Sequence, residues 1–103
     1  MDIIASRALR INVTELSNTA TIYLNGHFDF ESHREFKSDY KGHLYNSKIS
    51  NIVINLAEVK YLDSSALGML LVLRDHVQAA NKSLILSRPS PITERTLDIA
   101  SFY

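Results

Sequence analysis

The stretch NIVINLAEVKYLDSSALGMLLVL, residues 51–73, decides the fold, because an apolar strand-like run here passes into an apolar helix. The opening run, NIVINL, is short and continuously apolar, which is typical of a strand covered on both faces. The helix is predicted to begin at Ser64 or Ser65 and to end near Ala80. Asp63 and the two serines therefore occupy a strand-to-helix junction, where α/β proteins commonly bind ligands.

Two strands and a helix are predicted on the N-terminal side of this stretch. RINVTEL and NTATIYLNG indicate a β-hairpin around a Ser17-Asn18 turn, and Gly26 is expected to end the second strand. The helix that follows carries one apolar stripe at four-residue steps. Ser32 and Glu35 have the spacing of a capping box, so Ser32 is expected to open that helix.

A strand and a helix are predicted on the C-terminal side. KSLILS indicates another buried strand, and RPSPITERTLDIA a third helix with Ser90 as its cap and Pro91 at its first position. The order β-β-α-β-α-β-α implies parallel pairing of the later strands through right-handed crossovers. We therefore expect an α/β fold, a small mixed β-sheet with helices packed on it. The whole of 1–103 is expected to be a single domain, of which residues 1–9 are a lead-in of uncertain structure.

The composition excludes several functional classes. Hydrophobic residues make up 46% of the 103 residues, which is enough for a real core. Eleven basic residues balance eleven acidic ones, and this argues against nucleic-acid binding and against docking to an anionic membrane surface. The absence of cysteine excludes disulfides and thiolate zinc sites. The longest apolar run, ALGMLLVL, is too short to span a bilayer, and no signal peptide is recognisable, so a cytoplasmic location is expected.

Three interpretations of the junction are open from the residues alone. Asp63, Ser64 or Ser65 could cap the helix, because their oxygens accept hydrogen bonds from free backbone N–H groups. A nucleophilic serine would need the flanking glycines of a G-x-S-x-G elbow, whereas Leu62 and Ala66 stand there. A phosphorylation switch is the third, because a helix start accommodates a phosphate that adds about −1.5 to −2 charges.

The helix after the junction carries more apolar residues than one buried stripe requires. A helical wheel places five of them on one face: Ala66, Leu70, Leu73, Val77 and Ala80. The others spread around the remaining circumference: Leu67, Met69, Leu71 and Val72. This excess indicates either deep burial or a surface that contacts another protein.

Three segments resemble one family. INLAEVKYLDSSALGMLLVL resembles the central signature of STAS domains, in particular of the bacterial anti-sigma-factor antagonists. YLNGHFDFES is similar to an earlier motif of that family, with His27 and Phe28 in place of a glutamate and a leucine. LILSRPSPITERTLDIASF is similar to the strand and helix that come later, so the resemblance extends from Arg10 to Phe102.

The resemblance implies a phosphorylated serine with two acids near it. By position, the phosphoacceptor would be Ser64, the first hydroxyl after Asp63, with Ser65 as the second choice. Asp29 matches the aspartate of the earlier motif, and Asp63 matches the acid just before the serine. The resemblance implies no catalytic residue, cofactor or metal site in this chain, because a kinase supplies its own base, ATP and magnesium.

The resemblance also implies partners. An antagonist of this family binds a regulatory serine kinase of the anti-sigma type while its serine is unmodified, and phosphorylation releases it until a PP2C-type phosphatase restores binding. Leu67, Met69 and Val72 are the expected contact residues, and the chain would be a binding module, not an enzyme. The alternative is a constitutive STAS subunit of a membrane ABC transport complex; Ser64, which such subunits often lack, favours the switch.

Overall fold

The computed structural model describes residues 8–99, so most of the predicted lead-in and the last four residues lie outside the described part. The elements found within this part are β1 (Arg10–Leu16), β2 (Thr19–Phe28), a single 3-10 turn (Phe30–Ser32), α1 (His33–Leu44), β3 (Asn51–Leu62), α2 (Ser64–Ala79), β4 (Ser83–Ser87) and α3 (Pro91–Ile99). This order confirms the predicted β-β-α-β-α-β-α arrangement.

One sheet contains all four of these strands, in the order β1-β2-β3-β4. β1 and β2 are antiparallel and form the predicted hairpin, in which Ser17 takes a left-handed conformation with φ of +57°. β2 pairs in parallel with β3, and β3 with β4, across the connections that contain α1 and α2. The sheet is therefore mixed, as predicted.

Both central strands continue further than their apolar runs. β2 continues past Gly26 to Phe28, and β3 continues past NIVINL to Leu62, because the two strands stay paired across irregular register shifts. The predicted end at Gly26 is therefore wrong by two residues. The extension pairs Phe28 with Leu62, so the residues that follow, Asp29 and Asp63, leave the sheet from neighbouring strand ends.

Burial across the sheet differs between its two faces. Val13, Ile22, Ile54 and Leu86 form one row across the four strands, and this face packs on the helices in one core cluster. The opposite face of β3 is only partly buried, as at Val53. The prediction that NIVINL is covered on both faces is therefore wrong. The prediction that KSLILS is a buried strand is also wrong, because β4 lies at the edge of the sheet and its residues are exposed or only partly buried.

The helices complete the core with one buried face each. On α2, four residues of the predicted wheel face, Ala66, Leu70, Leu73 and Val77, are buried completely or almost completely, whereas the fifth, Ala80, follows the helix and is partly buried. From α1, the ring of Phe36 packs on Phe28 with a centroid distance of 4.9 Å, and the ring of Tyr40 packs on Phe36 at 5.2 Å. This aromatic cluster joins the first helix to the strand that precedes it.

The helix caps agree with prediction at α3 and differ at α1. At α3, the Thr93 N–H donates to Ser90 Oγ at 3.2 Å, which confirms Ser90 as the cap. At α1, Ser32 makes no side-chain cap, and the predicted box with Glu35 is wrong. The 3-10 turn before α1 has its own capping box, formed by Asp29 and Ser32, because the chain turns immediately after β2 ends.

Candidate functional site

Asp63 lies at the centre of the junction and joins two segments. It is the N-cap of α2, and its Oδ1 accepts a hydrogen bond from the Ala66 N–H at 2.8 Å. Its Oδ2 accepts one from the Phe30 N–H at 3.3 Å. Its own N–H donates to the Phe28 carbonyl at 3.3 Å. One carboxylate therefore fixes the start of α2 and the turn that leads into α1.

Asp29 has a similar local role one strand away. Its Oδ1 accepts from the Glu31 N–H at 3.1 Å, and its own N–H donates to Ser32 Oγ at 3.3 Å. The buried Ser32 hydroxyl also lies 3.3 Å from the His27 carbonyl, to which it can donate. These bonds hold the 3-10 turn in place. Asp29 thus shapes the surface at the strand ends and has a structural role of its own.

The two serines of the junction differ in their surroundings. Ser64 is exposed and is the first residue of α2, and within residues 8–99 its hydroxyl makes no hydrogen bond. Ser65 is partly buried and lines a groove between α1 and α2. Ser64 is therefore the more accessible of the two hydroxyls.

The groove beside these serines has a volume of about 330 Å³. Its floor and walls are mainly apolar or aromatic and include Phe30, Phe36, Tyr40, Met69 and Val72. Burial, and to a smaller extent the nearby Tyr45, raises the pKa of Tyr40, whose hydroxyl lies 3.3 Å from His76 Nδ1. The Tyr40 hydroxyl accordingly stays neutral and adds no charge to the groove.

The three residues expected to contact a partner are not equivalent. Val72 is 48% exposed and Met69 is 8% exposed, and both line the groove. Leu67 is partly buried and packs against the core, and it is not among the groove residues. Since successive helix residues are about 100° apart, Leu67 points away from the direction of Met69 and Val72. Two of the three residues are thus brought together.

Phe30 is a groove residue that the sequence prediction missed. Its side chain is 72% exposed, although it is large and apolar. The sequence did contain a feature that could have indicated the exposure of Phe30. This residue follows Phe28 by two positions and comes after the predicted end of the strand. An apolar residue in that position has no strand face to occupy. Single exposed apolar residues are common, but Phe30 borders a groove that already has an apolar lining.

A second cavity is lined in part by residues of the 3-10 turn. Its volume is about 530 Å³, and its lining includes Asp29, Glu31 and Glu35 beside the rings of His27 and Tyr61, whose centroids are 5.5 Å apart. Among the described residues, no group of three or more His, Cys, Asp or Glu side chains could hold a metal ion. The lining of this cavity thus contains three carboxylates, whereas the lining of the groove contains none.

Replacing Asp63 with alanine is expected to destabilise the fold by about 0.5–2 kcal/mol, the usual cost of losing an N-cap. The loss of the Phe30 bond should place the result toward the upper end of that range. Urea unfolding measures it, with the exposed Asp75→Ala on the same helix as the matched control, expected to change stability by less than about 0.5 kcal/mol. Equal effects of the two substitutions would contradict the bridging role.

Comparison with known proteins identifies the family. The model of the STAS domain matches residues 10–103, and the chain therefore belongs to the STAS domain family. A STAS-domain containing protein of Pseudomonas aeruginosa (strain UCBPP-PA14) is 40% identical to it over 82 residues, which are 80% of this chain and 79% of that protein. The family resemblance of the sequence is thereby confirmed.

Solved structures show the same fold. The anti-sigma factor antagonist SpoIIAA in its unphosphorylated form has a TM-score of 0.76 and 20% identity, over 91% of this chain and 81% of that chain. Bacillus SpoIIAA in its phosphorylated form has a TM-score of 0.72 and 20% identity, over 90% of this chain and 83% of that chain.

Among residues 8–99, no helix has the length and apolar character needed to cross a membrane.

Proposed function

We propose that this chain is a phosphorylation-controlled protein-binding module. It binds a regulatory serine kinase of the anti-sigma type while Ser64 is unmodified, and it is released when that kinase phosphorylates Ser64. A PP2C-type phosphatase restores binding. The observation that carries the proposal is the position of Ser64, an exposed hydroxyl at the first residue of α2, adjoining an apolar groove.

The start of α2 suits a phosphate for physical reasons. A helix N-terminus carries a partial positive charge and free N–H donors, both of which favour an anion. A phosphoserine at Ser64 would add about −1.5 to −2 charges without burying them, because the residue is exposed. The fold can therefore keep its structure while the charge of the surface changes.

The comparison with SpoIIAA supports this proposal. That protein has been solved in an unphosphorylated and in a phosphorylated form, and both are similar to this chain in fold. A fold of this type is therefore compatible with a phosphate. In the proposed cycle the chain is a substrate in the cytoplasm, and ATP and magnesium belong to the kinase.

The experiment compares Ser64→Asp, Ser64→Ala and the neighbouring control Ser65→Ala as baits for partners from the native cell. Ser64→Ala and Ser65→Ala should retain a serine kinase, and Ser64→Asp should bind the purified kinase at least tenfold more weakly, which is about 1.4 kcal/mol. Kinase and ATP should add one phosphate to the unsubstituted protein, located by mass spectrometry at Ser64.

Two results would count against the proposal. The switch is wrong if Ser64→Asp binds the kinase as tightly as the unsubstituted protein does. Stable co-purification with an ABC-type ATPase, unaffected by any substitution at Ser64, would favour the alternative of a constitutive subunit in a membrane transport complex.

A further inference from the structure

A glycine is among the residues that line the groove between α1 and α2. Gly68 lines the groove, and a Cβ atom at this position would meet no other atom within 4 Å. Phe30 and Val72 also line the groove, and both side chains are exposed. Side chains that would normally be covered thus surround an empty space, which favours an apolar side chain from another molecule as the occupant.

The groove has a cationic side chain in its lining. Lys37 from α1 lines it, whereas Asp and Glu are absent from its lining residues, all of which are described. Lys37 makes no ion pair within residues 8–99. The ammonium group is therefore available to a carboxylate of the molecule that fills the groove. A basic partner segment would bring like charges together.

We infer that the groove binds one amphipathic helix of the partner, with apolar residues that enter the groove and Asp or Glu residues that face Lys37. An amphipathic helix in an apolar groove between two helices is a recurring mode of recognition. The inference rests on the proposed function, since it concerns the same partner, and it adds the surface and the chemistry of the segment that this surface recognises.

The inferred charge pattern explains why a phosphate at Ser64 would release the partner. Ser64 directly precedes Ser65, which lines the groove, so a phosphoryl group there would stand near its edge. The dianion would repel the carboxylates that Lys37 attracts. Because Ser64 is exposed, the effect of Ser64→Asp on binding should decrease as salt concentration rises.

The test uses three synthetic helical peptides as probes. They share leucines at positions i, i+4 and i+7 and differ only in the flanking residues, which are Glu, Gln or Lys. The Glu peptide should bind at least tenfold more tightly than the Lys peptide, and amide NMR shifts should change around Phe30 and from 65 to 72. Lys37→Glu should reverse this order of affinities.

Two glycine substitutions provide a matched pair that keeps the fold. Gly68→Leu places a side chain in the empty space and should weaken binding of the Glu peptide at least tenfold. Gly42→Leu makes the same change on α1. A Cβ at Gly42 also meets no other atom within 4 Å, but Gly42 is not among the residues that line the groove. It should leave binding unchanged. Both replace a glycine inside a helix with a good helix former, so neither should unfold the protein.

The inference is overturned if no peptide binds at millimolar concentration, if the three peptides bind equally, or if Gly42→Leu weakens binding as much as Gly68→Leu. A self-associating protein whose oligomer Gly68→Leu dissociates would mean that a second copy fills the groove. If Ser64→Asp weakens binding of the natural kinase and Gly68→Leu does not, the partner does not bind in the groove, whereas control of binding by Ser64 stands. If only Gly68→Leu weakens binding, the groove is the binding site, but Ser64 does not control binding.

Discussion

Gly26→Ala should destabilise the protein by about 2–5 kcal/mol, from backbone strain and steric overlap together. Gly26 has a φ of +113°, a conformation that side chains with a Cβ rarely adopt. A Cβ at this position would lie 2.6 Å from the carbonyl oxygen of Ala8. That oxygen belongs to the backbone, so no side-chain rotation can relieve the overlap. The residue is buried in β2, and solvent offers no alternative position.

Gly42→Ala is the matched control for this prediction. Gly42 lies within α1, is exposed, and leaves a new methyl group free of contacts within 4 Å. Alanine should stabilise the helix there by about 0.5–1 kcal/mol. Urea unfolding of the two variants should therefore give effects of opposite sign. If both variants have similar stability, the close approach of Ala8 to Gly26 is not a constraint on the fold.

Leu70→Ala should cost about 2–5 kcal/mol, the range for removing a fully buried leucine from a well-packed core. Leu70 is completely inaccessible to solvent on the core face of α2. Its truncation removes contacts with the sheet and leaves a cavity, because neighbouring side chains can close only part of the space. The mechanism is general, and the size of the effect depends on how far the site collapses.

Val72→Ala, two residues further along the same helix, is the comparison for Leu70→Ala. Val72 faces the groove and solvent, so its truncation should change stability by less than about 0.5 kcal/mol. Urea unfolding measures both effects. A large loss of stability in Leu70→Ala together with a small loss in Val72→Ala would establish that the apolar residues of α2 form a core face and a separate surface. A large loss of stability in Val72→Ala would instead assign that residue to the core.

The sequence was sufficient for features that depend on neighbouring residues. The Ser17-Asn18 turn, the start of α2 at Ser64 and the cap at Ser90 were all predicted from local signals and are confirmed. Alternation of strands and helices then fixed the topology, since a parallel pair requires a crossover. The family resemblance added the candidate phosphoacceptor, which remains a prediction.

The features that were not predicted depend on pairing between distant residues. The segment AEVK looks polar on its own, and it continues β3 only because β2 lies beside it. The bond from Phe30 to Asp63 joins residues 33 positions apart, and no local pattern indicates it. A helical wheel likewise gives the spacing of Met69 and Val72 around α2 but not the neighbour that they face.

Asp63 accepts two hydrogen bonds, and this has a mechanical consequence. Because the same carboxylate binds the N–H of Phe30 and the N–H of Ala66, the turn before α1 and the first turn of α2 share one anchor. A change that withdraws this carboxylate removes one hydrogen bond from each segment at once. A single side chain therefore couples the start of α2 to the turn that leads into α1.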